Sequence, residues 1–271
     1  MRRVFFVALT TILFGCGLSA QIRAPRIGMV RQLDGRIRPV YGVTANFICG
    51  SDSGSEPVLA ASFSDQAGLL VSDNRLILQT ASGETIGTAR LSESDPLLTV
   101  EGSAETAAAW FPSSRKLLRW DGQSFVEARL DIANLPGKPV SIRAVGRDKV
   151  EFLLEMPDAS LGRAVLSTST GAVLQFTEVT GISGPAFHIG PSLVGQDHHH
   201  LAIELPDGSR QTLPISGTDL TFQKASMNWL VITSKAAGRQ WLIHIDKSGI
   251  EASELPQNTE ATAKSHLKAA E

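Results

Sequence analysis

The sequence predicts an all-β fold assembled from a repeated unit, and three observations lead to this prediction. A hairpin pattern recurs along the chain, further apolar runs precede most copies of it, and several of these runs are apolar on both faces. The composition agrees, because 24 glycines and 13 prolines interrupt the 271 residues often, as short strands joined by turns require. With 42% hydrophobic residues, the chain can bury a sizeable core.

Six segments share one design, in which a turn containing glycine separates two runs rich in Val, Ile, Leu, Phe and Thr. The segments span residues 27–43, 75–91, 116–130, 163–179, 200–215 and 241–255. Their turn glycines are Gly35, Gly83, Gly122, Gly171, Gly208 and Gly249, at separations of 48, 39, 49, 37 and 41 residues. Glycine adopts positive φ without steric cost, as tight hairpins need, so we expect each glycine at a hairpin tip.

Further strand-like runs precede the second to sixth hairpins, at residues 58–72, 97–111, 140–156, 186–193 and 220–234. A unit thus holds four strands in about 43 residues, the period of a β-propeller blade. The sequence therefore predicts a β-propeller of about five to six four-stranded blades with a partial first blade, and a β-sandwich is the alternative. The first hairpin follows no such run, so it either completes a partial blade or closes the ring against the last one.

Several predicted strands are apolar on both faces. Residues 76–78, 152–154 and 229–232 are apolar without a break, so each of these strands must be covered on both sides. Blades that stack face to face around an axis provide such cover. A two-sheet sandwich would show alternation between apolar and polar positions instead, so the pattern favours the propeller.

Residues 1–20 have the layout of an export signal. Arg2 and Arg3 precede an apolar run of eleven residues from Val4 to Phe14, and small residues follow up to Ala20. The run is too short to cross a bilayer of about 30 Å as a helix. We expect cleavage after Ala20, with a periplasmic or extracellular mature protein. The alternative is lipidation of Cys16, which would anchor the protein to a membrane.

The chain is therefore divided into a signal peptide (1–20), an N-terminal segment with the first hairpin (21–57), the propeller blades (58–255) and a polar tail (256–271). Cys16 and Cys49 are the two cysteines of the sequence, so no internal disulfide framework is expected. Loss of the leader removes two positive charges and moves the formal net charge from −2 to −4. This charge argues against a nucleic-acid partner, which a concentrated basic surface would attract.

Three histidines are candidates for a metal site. Alternate residues of a strand share a face, so His198 and His200 would project together, with His188 or Asp197 as a third ligand. Two histidines without a defined third and fourth ligand do not make a closed zinc site, so the interpretation as a polar loop is favoured. The sequence accordingly predicts no catalytic residue, no metal site and no cofactor.

The period and punctuation of residues 27–255 resemble those of the WD-repeat and quinoprotein-type β-propellers, in particular exported bacterial members. Residues 170–176 (TGAVLQF) are similar to the Thr-Gly turn of quinoprotein blades, although the aromatic residue is Phe176 and falls one position late. The WD signature and the sialidase-type box are absent from the sequence. The resemblance therefore implies the propeller architecture, and it transfers no catalytic residue.

Two functions fit these features. The first is an exported, non-catalytic binding or scaffold propeller, whose partner is an unknown protein or small molecule contacted by the loops. The second is a propeller enzyme, either a metal-assisted hydrolase or lactonase or a degenerate quinoprotein. The enzyme would need carboxylates and histidines from several blades to converge on the central channel. Since fold alone does not separate the two, the side chains that line the channel decide between them.

Overall fold

A computed structural model of the protein describes residues 24–43, 46–52, 56–91, 93, 95–132, 135–197, 200–247 and 249–256. Within these residues the chain forms 23 strands in six antiparallel sheets, together with one short 3-10 helix at Ala104–Thr106. The predicted leader with Cys16, the residues His198 and His199, and positions 257–271 of the polar tail lie outside the described residues.

Each sheet is one blade of a propeller and is built from consecutive strands. Blade 1 contains β1 (Arg26–Arg31), β2 (Ile37–Val43) and β3 (Asn46–Cys49). Blade 2 contains β4 (Ala60–Phe63), β5 (Ala67–Ser72), β6 (Arg75–Thr80) and β7 (Thr85–Arg90). Blade 3 contains β8 (Leu97–Thr99), β9 (Ala108–Phe111), β10 (Lys116–Trp120) and β11 (Phe125–Ala128).

The second half of the ring repeats this order. Blade 4 contains β12 (Lys138–Ala144), β13 (Lys149–Glu155), β14 (Leu161–Ser167) and β15 (Val173–Val179). Blade 5 contains β16 (Ser183–Ile189), β17 (Ser192–Asp197), β18 (His200–Glu204) and β19 (Arg210–Leu213). Blade 6 contains β20 (Leu220–Ser226), β21 (Trp229–Ser234), β22 (Arg239–Asp246) and β23 (Gly249–Glu254). The prediction of a propeller with a partial first blade is therefore confirmed.

The core lies between the blades. Each of the six apolar clusters joins two neighbouring blades, and together they cover all six interfaces of the ring. Trp110 of blade 3, for example, meets Phe152 of blade 4 edge to face, with ring centroids 5.1 Å apart. Both faces of the central strands are therefore buried, which explains why residues 76–78 and 152–154 are apolar without alternation.

The first strands of blades 2 to 6 surround the axis. These strands are β4, β8, β12, β16 and β20, and neighbouring pairs among them contact each other. Blade 1 contributes no such strand among the described residues, so β20 approaches β4 directly. Gly28 of β1 lies against Ala225 of β20, and the Arg31 amide donates a hydrogen bond to the Gln223 side chain. Residue numbers thus rise along β1 where they fall along β20, so the two strands are antiparallel. That is the direction of a second strand, and blade 1 therefore corresponds to the outer three strands of the others.

All six turn glycines lie at hairpin tips with positive φ, as expected from the sequence. Five of them join the third and fourth strands of a blade. Gly35 is different, because it joins β1 and β2, which correspond to second and third strands, and it packs against Pro57 and Val58. The expectation that the first hairpin is equivalent to the other five is therefore wrong, because this hairpin supplies the second and third strands of its blade and not the third and fourth. The hairpin completes a partial blade and also packs against the last one.

Gln223 closes the ring where the inner strand of blade 1 is absent from the described residues. Its side-chain carbonyl accepts a hydrogen bond from the Arg31 amide at 2.9 Å, and its amide nitrogen donates to the Met29 carbonyl at 3.4 Å. Gln240 donates to the Arg31 carbonyl at 3.1 Å. Two glutamine side chains thus satisfy backbone groups of β1 that a neighbouring strand would otherwise bond.

Candidate functional site

A cavity of about 670 Å³ occupies the part of the channel where the inner strands begin. Its walls come from the first residues of β4, β8, β12, β16 and β20, and from the linkers that lead into them. We call this side of the propeller the open end. Pockets that hold small molecules usually measure about 300–1,000 Å³, so the volume suits a ligand of moderate size.

The wall of the cavity combines apolar and polar side chains in similar measure. Phe187 and Phe222 project from neighbouring blades and stack on each other, with ring centroids 5.9 Å apart and an angle of 18° between the planes. Leu97 and Val140 extend the apolar surface on the other side. Deeper in the cavity lies Ser141, which is almost fully buried and whose hydroxyl accepts a hydrogen bond from the His188 amide at 3.1 Å.

Charged side chains occupy the mouth. Arg31 and Lys235 line one part of it, and Asp95 and Glu155 line another. Arg31 Nε donates to the Val58 carbonyl at 2.5 Å, which fixes the guanidinium at the wall. Burial lowers the pKa of Arg31 from its ordinary value, and the negative charge of Asp34 opposes this change.

Lys224 closes the opposite side of the channel, which we call the closed end. Its side chain is 2% exposed and extends from blade 6 to blade 3. There Nζ donates to the Val100 carbonyl at 3.0 Å and forms an ion pair with the Glu101 carboxylate. Burial lowers the pKa of Lys224, while Glu101 and Asp65 act in the opposite direction.

A second buried ionic group lies beside this lysine. Arg143 and Glu151 face each other on neighbouring strands of blade 4, with Arg143 Nη2 2.6 Å from Glu151 Oε2. His188 of blade 5 places Nε2 2.9 Å from Glu151 Oε1, a close contact whose atoms are not aligned for a hydrogen bond. Burial raises the pKa of Glu151, but the contacts with His188 and Arg143 outweigh it and lower the value to about 2.

His188 is fully enclosed by this group. Its side chain is 1% exposed, and burial lowers its pKa from the ordinary value despite the neighbouring carboxylate of Glu151. Nδ1 has no hydrogen-bond partner in the part of the chain that the structure describes. His188 is thus a neutral imidazole buried against the ionised carboxylate of Glu151, and Arg143 carries the permanent positive charge of the group.

The structure separates the histidines that the sequence suggested as metal ligands. His188 pairs with Leu193 at one end of β17, and His200 pairs with Asp197 at the other. These positions are about 13 Å apart along the strand, at about 3.3 Å per residue. His188 also faces Glu151 instead of the β17–β18 turn. Among the described residues, no group of three His, Cys, Asp or Glu side chains could hold a metal ion.

Sequence reasoning missed Arg31, Lys224 and the pair of Arg143 with Glu151. A lysine in the strand β20 would ordinarily be expected at the surface, and nothing local marks Lys224 as buried. Arg143 and Glu151 did leave a signal. They lie eight residues apart with opposite charges, at facing positions of the predicted hairpin between residues 140 and 156.

No helix among the described residues is long and apolar enough to cross a membrane. No family model matches the chain, and no curated protein matches it significantly in sequence.

Solved structures with a similar arrangement include three of different origin. The secretion-system surface component PorZ of Porphyromonas gingivalis is 12% identical, with a TM-score of 0.49, over 87% of this chain and 32% of that one. The chain thus spans about a third of PorZ. A lectin of Aleuria aurantia is 12% identical (TM-score 0.49; 86% and 92% covered), and virginiamycin B lyase of Staphylococcus aureus is 15% identical (0.42; 87% and 86%). The assignment of this chain as a β-propeller is based on its own six sheets.

Proposed function

We propose that the protein is an exported, non-catalytic binding propeller, and that its central cavity takes a small molecule with an apolar body. One observation carries the proposal: the channel is open at one end and closed at the other by a buried lysine. A channel with a single mouth retains a ligand against a floor, as most small-molecule sites do. The floor and walls lie on the inner strands, which hold them more rigidly than loops would.

The distribution of polar groups favours binding over catalysis. Lys224, Glu151 and His188, whose pKa values are all altered, are nearly inaccessible at the closed end, where Lys224 pairs with Glu101 and Glu151 lies between Arg143 and His188. These two groups join blade 3 to blade 6 and blade 4 to blade 5, which fits a structural role. A ligand in the cavity would meet the stacked rings of Phe187 and Phe222 and a few polar groups at the mouth.

Probe binding tests the cavity directly. We expect the neutral apolar dye N-phenyl-1-naphthylamine to bind saturably, with a rise in fluorescence. Thr221 is exposed and lines the mouth, so a Thr221→Trp side chain would fill the entrance. We expect this variant to lose at least about tenfold in dye affinity, which corresponds to about 1.4 kcal/mol.

The matched control is Thr212→Trp, which places the same ring on the exposed outer strand β19. It should bind the dye as the unmodified protein does, and circular dichroism should show both variants folded. Equal dye affinity in Thr221→Trp and the unmodified protein would place the dye elsewhere and refute the proposed site.

Export is the second part of the proposal, supported by the charged, apolar and small-residue regions of positions 1–20. We expect the intact mass of the protein from its native host to lack the leader, with Gln21 as the first residue. A diacylglyceryl group on Cys16 would instead establish the lipid-anchored form. A protein that retains Met1 to Ala20 in the cell would exclude both routes.

A further inference from the structure

The charges at the mouth of the cavity are divided between opposite sides of the ring. Arg31 belongs to blade 1 and Lys235 follows the second strand of blade 6, and these blades are neighbours. Asp95 precedes the first strand of blade 3 and Glu155 ends the second strand of blade 4, directly across the axis. The mouth is therefore positive on one side and negative on the other.

Building on the proposed function, we propose that the cavity binds a zwitterionic ligand with an apolar body, namely a short peptide of about three residues with both termini free. Its carboxylate would face Arg31 and Lys235, and its ammonium group would face Asp95 and Glu155. The apolar side chains would contact Phe187 and the wall beside it.

The charged groups are available for a ligand. Lys235, Asp95 and Glu155 form no ion pair with one another or with any other described residue, and all three are exposed. Asp219 lies close to the turn that carries Lys235, and its carboxylate, which accepts hydrogen bonds from Ser234 Oγ and the Ala236 amide, remains an anion. Asp219 does not line the cavity, whereas Arg31 and Lys235 do, so the charged groups that face a ligand on this side are cationic.

The size of the cavity sets the length of the ligand. A sphere of about 670 Å³ has a diameter of about 11 Å. An extended chain advances about 3.3–3.6 Å per residue, so three residues place their termini about 10–11 Å apart. A single amino acid holds its two charges too close together to reach both sides at once.

The inner strands also offer backbone groups that suit a peptide. Each of the first strands of blades 2 to 6 pairs with a strand on one side only in the described part of the chain. The opposite edges face the axis, where their backbone groups can hydrogen-bond to a peptide that crosses the mouth. A ligand with a single charge would use one side of the mouth and leave the charges opposite without a counterpart.

Isothermal titration with the tripeptide Leu-Phe-Leu and its blocked forms tests this inference. N-acetylation removes the ammonium charge, C-terminal amidation removes the carboxylate, and neither changes the side chains. We expect the free tripeptide to bind and to displace N-phenyl-1-naphthylamine. Blocking either terminus should weaken binding at least about tenfold, the loss expected when one charge pair is removed.

Two variants should identify which side meets which terminus. Glu155→Gln should weaken binding of the free tripeptide but not of its acetylated form, and Lys235→Gln should weaken the free form but not the amide. The controls are Glu84→Gln and Lys149→Gln, which make the same changes at exposed positions outside the cavity. Both should bind the peptide as the unmodified protein does.

The outcomes separate this inference from the proposed function. If the dye binds in the cavity but the tripeptide does not displace it, the zwitterion is excluded and the binding cavity remains. Equal affinity for free and blocked peptides would also overturn the inference, because the charges would then have no effect. If neither dye nor tripeptide binds, the proposed function itself is refuted.

Discussion

Replacement of Lys224 by methionine is expected to lower the free energy of unfolding by about 3–5 kcal/mol, the usual cost of breaking a buried ion pair. Methionine retains most of the length of the side chain but removes the ammonium group. The Glu101 carboxylate then loses its cation, and the Val100 carbonyl loses a donor, at a site where the glutamate side chain is only 15% exposed. Urea unfolding of the folded variant measures the loss.

The double variant Lys224→Met, Glu101→Gln should recover part of this loss, because no unpaired carboxylate remains at the closed end. Lys116→Met is the control, since Lys116 forms its ion pair with Glu127 at the surface with both side chains about half exposed. Removal of that pair should cost less than about 1 kcal/mol. Equal losses for Lys224→Met and Lys116→Met would show that the closed end is not held by this lysine.

The fold could be predicted because its signals are local. Each hairpin carries a glycine with positive φ, such as Gly83 or Gly208, and each covered strand shows a run of apolar residues. The position of the first hairpin within its blade could not be predicted in the same way. A hairpin around Gly35 has the same local pattern whether it joins second and third or third and fourth strands. Only the contacts of β1 with both Ala225 and Gln223 of β20 reveal its direction.

The closed end could not be predicted because its contacts join distant parts of the chain. Lys224 and Glu101 are 123 residues apart, and no local pattern pairs them. The same holds for His188, which reaches Glu151 from the next blade. The sequence instead drew attention to adjacent histidines, of which His200 is exposed and distant from His188 along β17. Proximity in sequence was therefore a poor guide to proximity around the channel.

Acidification is expected to destabilise the protein in two steps, both of which originate in the group around His188. Burial keeps the pKa of His188 below its ordinary value of 6.5. As the pH falls below 6.5, the unfolded chain therefore binds a proton at this histidine that the folded chain does not bind, and the folded state loses stability. The pKa of Glu151 is about 2 in the folded protein against an ordinary 4.5. Its contribution is complete above pH 4.5 and is lost as the pH falls from 4.5 towards 2.

Urea unfolding between pH 7.5 and 3 measures both steps. A difference of one bound proton changes the free energy of unfolding by about 1.4 kcal/mol per pH unit. We expect His188→Gln to flatten the decline that begins below about pH 6.5, and Glu151→Gln to flatten the part of the decline below about pH 4.5. His200→Gln makes the same chemical change at an exposed histidine and is the control with which the slope of His188→Gln is compared. If His188→Gln declined as steeply as the unmodified protein, the imidazole would not be the group that excludes the proton, and the acid sensitivity would belong to carboxylates elsewhere in the ring.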